Sequence, residues 1–520
     1  MANLNPNSTG YFHSYEPNTN DLTMAMEYDA LGQPVIRTAI TSRLVPTANS
    51  AFGESIAVPL VPVVQIEPVY GIDPDEVQTY TAGGGVADVE NNMFHASSTS
   101  TLGSYGVLRS RRVIRYRPGQ GVMCRFTAMF NPAEGNSLRA GFGSQQEALQ
   151  VGFDGTEFGI YHVYGNKAEI RTLTITGTSA AGDATVVLNG VSYIVALVNG
   201  ETSVQTAARI ARATFTGWLV EQKDNEVRFL HAGTGPLTGT FSYTGAGGTT
   251  GTFVRTQAGL IGTTDFIPRS QFSLDPLDGT GTSGVTIDFT KLNVFQINFR
   301  WLGAGVSQFA IEHPDTGALF FFHKIHWVSR QTRPWVDNPN MKFTWTAYNT
   351  GGATGASVYG ASAAGFEEGV LQRNNYGRSY SLQKSSLGSG IVHQLFTLYN
   401  PLTYAGRINM KEVLLTDITV AHQGNDPLQV MIFFEANLAT GTQVYTRLPE
   451  TVPIVSTTTG TVDLNTYTPV VSFVLGINGN QQFDLQGYRF VIPPGQRATI
   501  CVKSGQNISQ ISSALSWISD

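Results

Sequence analysis

The sequence predicts a mainly β protein, built from antiparallel β-sandwiches with one small α+β inserted module. Charged residues make up only 13% of the chain, and 56 of its 520 residues are glycine. Short segments in which apolar and polar residues alternate recur along the chain, separated by turn residues. This pattern is typical of antiparallel sandwiches. A hydrophobic content of 41% provides enough material for buried cores, and the length indicates about three domains.

Strand periodicity is clearest at residues 123–130 and 295–301, where apolar side chains occupy every second position. Such alternation indicates a half-buried antiparallel strand. Residues 151–153 and 158–163 are two further apolar segments, joined through the dipeptide Asp154–Gly155. Because Asp-Gly supports a type I′ turn, we expect a β-hairpin there.

A single convincing helix is predicted inside residues 168–260. Thr202 and Gln205 match a capping box, in which each end of the motif satisfies a backbone N–H of the other. The apolar residues that follow fall at helical spacing: Val204, Ala207, Ala208 and Ala211. Strands flank this helix, and Asn189–Gly190 predicts a turn between two of them.

These signals divide the chain into five parts. Residues 1–84 are polar and proline-containing and predict an extended N-terminal arm. The other parts are a sandwich at 85–167 plus 261–350, an inserted β-α-β module at 168–260, a Gly/Ala/Ser-rich linker at 351–365, and a second sandwich at 366–520.

Charge and composition exclude several classes of protein. The net charge of −6 disfavours a nucleic-acid-binding protein, which would carry excess basic residues. No apolar run approaches the ~20 residues of a transmembrane helix, so no membrane insertion is expected. The N-terminus lacks the pattern of a secretory signal. The two cysteines, Cys124 and Cys501, lie in apolar strand contexts and are predicted to be buried free thiols.

Carboxylate patterns do not predict catalysis. A glycosidase needs two carboxyl groups at a defined separation. Asp154 and Glu157 flank a tight hairpin, where aspartate serves the turn. Glu367 and Glu368 are adjacent and would point to opposite faces of a strand. We therefore expect no catalytic residues and no enzyme activity.

Two acidic loops are candidate calcium sites, since carboxylate and backbone oxygens in loops are the ligands of Ca²⁺. The first loop contains Asp73, Asp75 and Glu76, and the second contains Asp275 and Asp278. Neither has the spacing of an EF-hand, and the alternative interpretation is that these residues stabilise turns. No other cofactor is predicted.

The best candidate for glycan contact surrounds Trp335. Arg333, Asp337, Asn338 and Asn340 lie beside it in sequence. An exposed aromatic ring can stack on a sugar face while amide and charged groups bind the hydroxyls. Because Trp335 follows a proline, the alternative is that it plugs the sandwich.

A cluster of arginines offers a second candidate contact. Arg111, Arg115 and Arg117 share one parity, so on a strand they would form a basic stripe on one face. Such a stripe would contact an acidic neighbouring subunit or a glycan. The alternative is a set of surface ion pairs.

Three local resemblances extend this interpretation. Residues 85–165 plus 265–350 resemble a concanavalin-A/laminin-G-like sandwich, most clearly in the run 153–159 (FDGTEFG), in Gly303-x-Gly305 and in the corner at 314–317. Residues 168–260 resemble a β-α-β module of tailed-phage tail and baseplate proteins, with its Asn-Gly turn, Thr-capped helix and Trp strand. The last 155 residues resemble a jelly-roll-like sandwich, with a Pro-Pro-Gly corner at 493–495 and the ending SWISD.

Together the chain resembles a structural protein of a tailed phage or large DNA virus. This resemblance implies a place on the surface of the virus particle, a homo-oligomer such as a trimer or pentamer, and contacts with other virion proteins. It also implies attachment to host-surface carbohydrate, with the N-terminal arm as anchor. The alternatives are a virion-associated polysaccharide depolymerase, that is a glycosidase, and a secreted adhesin.

Overall fold

The structure is a computed structural model. It describes three N-terminal strands and residues 59–144, 146–369, 377–488 and 490–519. In these residues the protein is mainly β, with antiparallel pairing throughout and one α-helix, which confirms the predicted fold class. The N-terminal strands form one antiparallel sheet: β1 (Gly10–His13), β2 (Leu22–Tyr28) and β3 (Pro34–Ile40).

The first sandwich is formed by two stretches of chain. The first stretch contributes β4 (Leu60–Ile66), β5 (Val77–Ala82), β6 (Val86–Glu90), β7 (Met93–Ser97), β8 (Tyr105–Ser110), β9 (Val122–Asn131), β10 (Asn136–Gly143), β11 (Ala148–Asp154) and β12 (Glu157–Tyr164). The inserted module follows with β13 (Ala168–Thr176), β14 (Gly182–Leu188), β15 (Val191–Leu197), α1 (Ser203–Ile210), β16 (Trp218–Lys223), β17 (Glu226–Thr234), β18 (Ser242–Thr244) and β19 (Thr250–Gln257). The second stretch contributes β20 (Thr263–Pro268), a 3-10 turn (Arg269–Gln271), β21 (Asn293–Phe299), β22 (Ser307–Glu312), β23 (Leu319–Ile325), β24 (Lys342–Asn349), β25 (Ser357–Gly360) and β26 (Ala363–Glu368).

Two sheets face each other in this sandwich. One has the order β20-β12-β11-β10-β24-β8-β5, and the other has the order β23-β22-β21-β9-β25-β7-β6. In the second sheet β26 also pairs with β9, and β4 pairs with β26. Their inner faces bury aromatic rings, including Phe126 stacked on Phe295 at 5.7 Å and Phe343 against Trp345 at 4.3 Å. The predicted strand at 123–130 is confirmed as β9, and that at 295–301 is confirmed as β21 up to Phe299, with Trp301 beyond its end. Asp154 pairs with Glu157 in the predicted hairpin.

The inserted module leaves and re-enters the sandwich at neighbouring points. It lies between β12 and β20, which pair with each other. At its base, Lys167 and Leu260 exchange two backbone hydrogen bonds, both of 2.9 Å. The module contains a four-stranded sheet (β16-β17-β13-β19) and a three-stranded sheet (β15-β14-β18). The capping box at the start of α1 is confirmed, since Thr202 Oγ1 accepts from Gln205 N–H at 3.3 Å.

The C-terminal sandwich contains β27 (Arg378–Leu387), β28 (His393–Tyr399), β29 (Thr403–Tyr404), β30 (Arg407–Ile408), β31 (Val413–Gln423), β32 (Leu428–Phe434), β33 (Thr446–Arg447), β34 (Ile454–Ser456), β35 (Val471–Leu475), β36 (Asn480–Asp484), a 3-10 turn (Gln486–Tyr488), β37 (Val491–Ile492), β38 (Arg497–Ser504) and β39 (Ile508–Ser519). One sheet has the order β27-β39-β31-β36, with β37 on β31, and the other has the order β33-β34-β28-β38-β32-β35. Trp517 and Phe396 are buried between them.

The structure has strands where the sequence analysis placed an arm and a linker. Within residues 1–84, β4 pairs with β26 and β5 pairs with β8, so both belong to the sandwich. Within residues 351–365, β25 pairs with β7 and β9. The small residues there are needed for packing. A Cβ atom at Gly360 would lie 2.3 Å from the Trp345 indole, and one at Gly365 would lie 2.5 Å from Ile114.

Both cysteines are buried free thiols, as predicted. Cys124 lies on β9 and Cys501 on β38, so they belong to different sandwiches. Burial raises the pKa of each thiol. A protonated, enclosed thiol behaves as a small apolar side chain.

Candidate functional site

Trp335 lies in the core, contrary to the prediction of a sugar-stacking surface ring. Its side chain is 1% exposed and packs edge-to-face on Phe299, with ring centroids 5.1 Å apart. Its carbonyl oxygen contacts His162 Nε2 at 2.8 Å. Burial of the large apolar ring in the sandwich core determines where Trp335 lies, although its neighbours in sequence are polar. The alternative interpretation, that Trp335 fills the interior of the sandwich, is therefore the correct one.

The neighbours of Trp335 separate into two groups. Arg333 and Asp337 form an ion pair of 3.0 Å at the surface. Asn340 turns inward, where its Oδ1 accepts from the Tyr116 N–H at 2.9 Å. Asn338 and Asn340 both line a small cavity of about 110 Å³, at which all three domains meet. The five predicted glycan contacts therefore do not share one surface.

The predicted basic stripe does not form, because β8 ends at Ser110 and the following residues leave the sheet. Arg111 Nε donates to the Pro74 carbonyl oxygen, and Arg117 pairs with Glu367. Arg115 is buried. These arginines serve contacts within the chain, which is close to the alternative of ion pairs.

The first acidic loop is a turn. Asp73 Oδ1 accepts from the Asp75 N–H at 2.8 Å, which is the geometry of an Asx turn. Burial, followed by the charge of Asp73, raises the pKa of Glu76. Nowhere in residues 59–519, apart from the undescribed positions, do three His, Cys, Asp or Glu side chains come together as a metal site.

In the second acidic loop, too, the carboxylates accept hydrogen bonds from backbone N–H groups of the same loop. Asp275 is buried, and its two oxygens accept from the N–H groups of Leu277 and Ser283, both at 2.8 Å. Asp278 Oδ1 accepts from the Thr280 N–H at 3.0 Å. The hydrogen bonds to Thr280 lower the pKa of Asp278. Both Asp275 oxygens and one Asp278 oxygen thus stabilise turns, as the alternative interpretation expected.

A polar pocket between two domains was missed by sequence reasoning. It is a cleft of about 550 Å³ between the inserted module and the C-terminal sandwich, and we call it the interdomain pocket. This volume lies in the usual range of small-ligand sites. The side chains that carry its chemistry are Glu221, Tyr399, Glu435, Asn437, Tyr445 and Arg497.

One wall of the interdomain pocket is aromatic. Tyr399 and Tyr445 lie with ring centroids 5.1 Å apart and planes inclined by 38°. Burial raises the pKa of both phenols, so both are protonated donors at neutral pH. The Tyr445 hydroxyl lies beside the Arg497 guanidinium without hydrogen-bond geometry. It is therefore a donor without an acceptor in the described structure.

Arg497 and Asn437 form the polar end of the interdomain pocket. Arg497 Nη2 donates to Asn437 Oδ1 at 2.6 Å, while Arg497 Nε is enclosed without a partner in the described structure. Buried polar groups normally have partners, so this enclosed N–H is an unsatisfied donor in the wall of the pocket.

The two carboxyl groups of the interdomain pocket are held by local donors. Glu221 accepts from the Thr403 hydroxyl and, at 2.6 Å, from the Leu402 N–H. Glu435 Oε1 accepts from the Arg497 N–H at 2.6 Å. Burial is the main cause that raises the pKa of both groups. Glu221 thereby ties the module to the C-terminal sandwich.

A reciprocal amide contact fixes the floor of the pocket. Gln222 Nε2 donates to the Tyr445 carbonyl oxygen at 2.9 Å, and Gln222 Oε1 accepts from the Tyr445 N–H at 2.7 Å. The Gln222 side-chain amide thus makes the same pair of hydrogen bonds to Tyr445 that the backbone of a neighbouring strand would make. This contact sets the position of the Tyr445 ring.

Comparisons with known proteins identify no family. No protein-family model matches the chain, and no curated protein matches it. Similar solved structures include the catalytic domain of an endo-1,3-beta-glucanase (laminarinase) from Thermotoga petrophila, with 11% identity over 60% of this chain and 98% of that chain and a TM-score of 0.27. Lectin I-B4 from Griffonia simplicifolia matches with 12% identity over 56% and 94%, at a TM-score of 0.21. A chain from Sulfolobus Turreted Icosahedral Virus matches with 9% identity over 90% and 92%, at a TM-score of 0.15.

These TM-scores and identities are too low to transfer a function from the similar structures to this chain.

The one α-helix in the described residues is too short to cross a membrane.

Proposed function

We propose that this protein is a non-enzymatic structural protein of a virus particle, which assembles as a homo-oligomer and binds a host-surface glycan in the interdomain pocket. The observation that carries the glycan part is that one pocket is lined both by the paired rings of Tyr399 and Tyr445 and by donors without partners in the described residues. Sugars combine apolar C–H faces with hydroxyl acceptors, and this wall offers a partner for each.

The polar groups of the pocket match a sugar better than an apolar ligand. Asn437, Arg497 and Tyr445 all line the pocket, and the Tyr445 hydroxyl and Arg497 Nε have no hydrogen-bond partner among the described residues. An apolar ligand would leave these donors enclosed and unpaired, which costs free energy. A glycan hydroxyl or ring oxygen would satisfy them.

Binding without hydrolysis is supported by the state of the two carboxyl groups. Both Glu221 oxygens and one Glu435 oxygen accept hydrogen bonds from the protein. A glycosidase needs one carboxyl group free to protonate the leaving oxygen and another free to attack or activate water. Their raised pKa values favour a depolymerase as the second candidate. Release of reducing ends from a bound polysaccharide would establish that activity and overturn the non-enzymatic proposal.

We expect variants of the interdomain pocket to lose glycan binding without losing the fold. A glycan array with the full chain would supply the ligand, and titration calorimetry would measure its affinity. Asn437→Ala and Tyr445→Phe each remove one hydrogen-bonding group, so each should weaken binding about 3- to 10-fold. Arg333→Ala removes a surface group outside the pocket and is the matched control. Equal losses in all three variants, or no loss in the pocket variants, would contradict the proposal.

Self-association is the expected outcome for the purified chain. The proposed function and the low-charge composition, with only 13% charged residues, both favour faces that pack against further copies. Light scattering over a concentration series should give a stable trimer or pentamer. A mass of one chain at every concentration would rule out the homo-oligomer in solution.

A further inference from the structure

A second cavity lies where the three domains meet. The cavity of about 110 Å³ lined by Asn338 and Asn340 also contains Arg109 and Lys342, and we call it the junction cavity. Leu230 of the inserted module lines it from one side. Residues of the C-terminal sandwich, among them Asn409 and Met410, line it from the other.

Two cations face this cavity from adjacent strands. Arg109 on β8 is paired in register with Thr344 on β24, and Lys342 lies two residues before Thr344 on the same face. Diagonal neighbours of this kind are within reach of one shared ligand when their side chains are long. The Arg109 guanidinium also lies 5.4 Å from the centre of the Tyr80 ring.

Neither cation is neutralised by a direct partner. Lys342 is 8% exposed, and in the described part of the chain no acceptor binds its ammonium group. Arg109 Nε is enclosed and likewise has no hydrogen-bond partner among the described residues. A buried cation beside a half-buried one is unfavourable unless an anion compensates them.

The surrounding charge is also positive. The charges that act on Lys342 are Arg109 and Arg111, which lower its pKa, and Glu412, which raises it. Glu412 already accepts from the Val113 N–H at 2.9 Å. It therefore offsets only part of the positive charge and does not close the cavity.

We propose that the junction cavity binds one small oxyanion of the sulfate, phosphate or carboxylate class between Arg109 and Lys342. Amide groups of Asn338 and Asn340 complete the lining. The cavity is far smaller than the interdomain pocket, so it suits a single anionic group. Because its walls come from all three domains, the bound anion stabilises the folded arrangement.

The pH response of this site follows from its neighbours. The pKa of Lys342 is lowered to about 7, by burial first and then by the charges of Arg109 and Arg111, against the opposing charge of Glu412. Burial raises the pKa of Glu147, which lines the same cavity, to about 8. As the pH rises from 6 to 8.5, Lys342 loses its positive charge and Glu147 gains a negative one. Both changes weaken anion binding.

The test is titration calorimetry of the full chain with sodium sulfate, sodium phosphate and sodium acetate, against sodium chloride at equal ionic strength and pH 6.5. We expect at least one oxyanion to bind with one-to-one stoichiometry and chloride not to bind. The preferred anion distinguishes a tetrahedral ligand from a carboxylate. Affinity should fall at least tenfold between pH 6 and 8.5.

Two variants and a control locate the binding. Lys342→Met and Arg109→Met keep a long apolar stem and remove the charge, so each should fold and lose at least tenfold in affinity. Lys291→Met removes a surface cation in a turn and should bind like the wild type. Unchanged affinity in both site variants would overturn the proposal, as would the absence of binding by all three oxyanions.

Discussion

Replacing Trp335 by alanine is expected to lower the free energy of unfolding by about 3–5 kcal/mol, the usual cost of removing a buried large aromatic side chain. The indole is 1% exposed and packs edge-to-face against Phe299. Its loss leaves a cavity that rigid strands on both sides cannot fill. Urea unfolding followed by circular dichroism would measure the change.

The conservative variant Trp335→Phe separates packing from polar effects. Phenylalanine keeps most of the ring volume and removes an indole Nε1 that has no hydrogen-bond partner in the described residues. We therefore expect a smaller loss, below that of alanine. If Trp335 were instead an exposed sugar platform, the alanine variant would keep its stability and lose glycan binding. That pattern would contradict the structure of this region.

The second large effect is expected at Glu169, at the base of the inserted module. Its side chain is buried, and Oε1 accepts from Arg171 at 2.6 Å and from Arg255 at 2.9 Å. Oε2 accepts from the Gly259 N–H at 2.7 Å. Glu169→Ala leaves the two guanidinium groups and the amide without this carboxylate, so we expect a loss of about 3–5 kcal/mol in the free energy of unfolding.

A matched control lies in the same module. Glu226 pairs with Arg228 at 2.9 Å but is 36% exposed, so Glu226→Ala should cost no more than about 1 kcal/mol. Urea unfolding of both variants, with limited proteolysis of the module, would measure the difference. Equal effects of the two substitutions would show that burial of Glu169 does not determine its contribution.

Local patterns were sufficient to predict several strands, one hairpin and the helix. The alternation at 123–130 and the Asp154–Gly155 turn depend on neighbouring residues only, and both are found in the structure. The capping box at Thr202 is equally local, because its two hydrogen bonds close within one turn. Signals of this kind survive folding because the surrounding tertiary structure favours the same conformation.

The predictions for residues 351–365 and for Trp335 were wrong because residues distant in sequence determine the structure there. The small residues at 351–365 have the composition of a linker, yet Gly360 is small because the Trp345 ring lies against it. The ring of Trp335 could be placed only by knowing which faces close the sandwich. The local sequence of either segment does not show which distant residues pack against it.

The interdomain pocket could not be predicted for the same reason. Glu221 belongs to the inserted module, whereas Tyr399 and Arg497 belong to the C-terminal sandwich. They meet only after the domains dock. Glu435 also has a left-handed backbone conformation, with φ of 54°. Nothing in the local sequence predicts this conformation for a glutamate.

The narrow base of the inserted module has an evolutionary consequence. Since Lys167 and Leu260 meet across a pair of backbone hydrogen bonds, the whole module is joined to the sandwich like a long hairpin loop. Such a segment can be exchanged by recombination at two neighbouring points, leaving the strands on either side in register. One wall of the interdomain pocket would then change, including the Gln222 amide that holds Tyr445, while Tyr399 and Arg497 would remain on the C-terminal sandwich. If the interdomain pocket binds the proposed ligand, exchange of this module would change the ligand preference while the two sandwiches are kept.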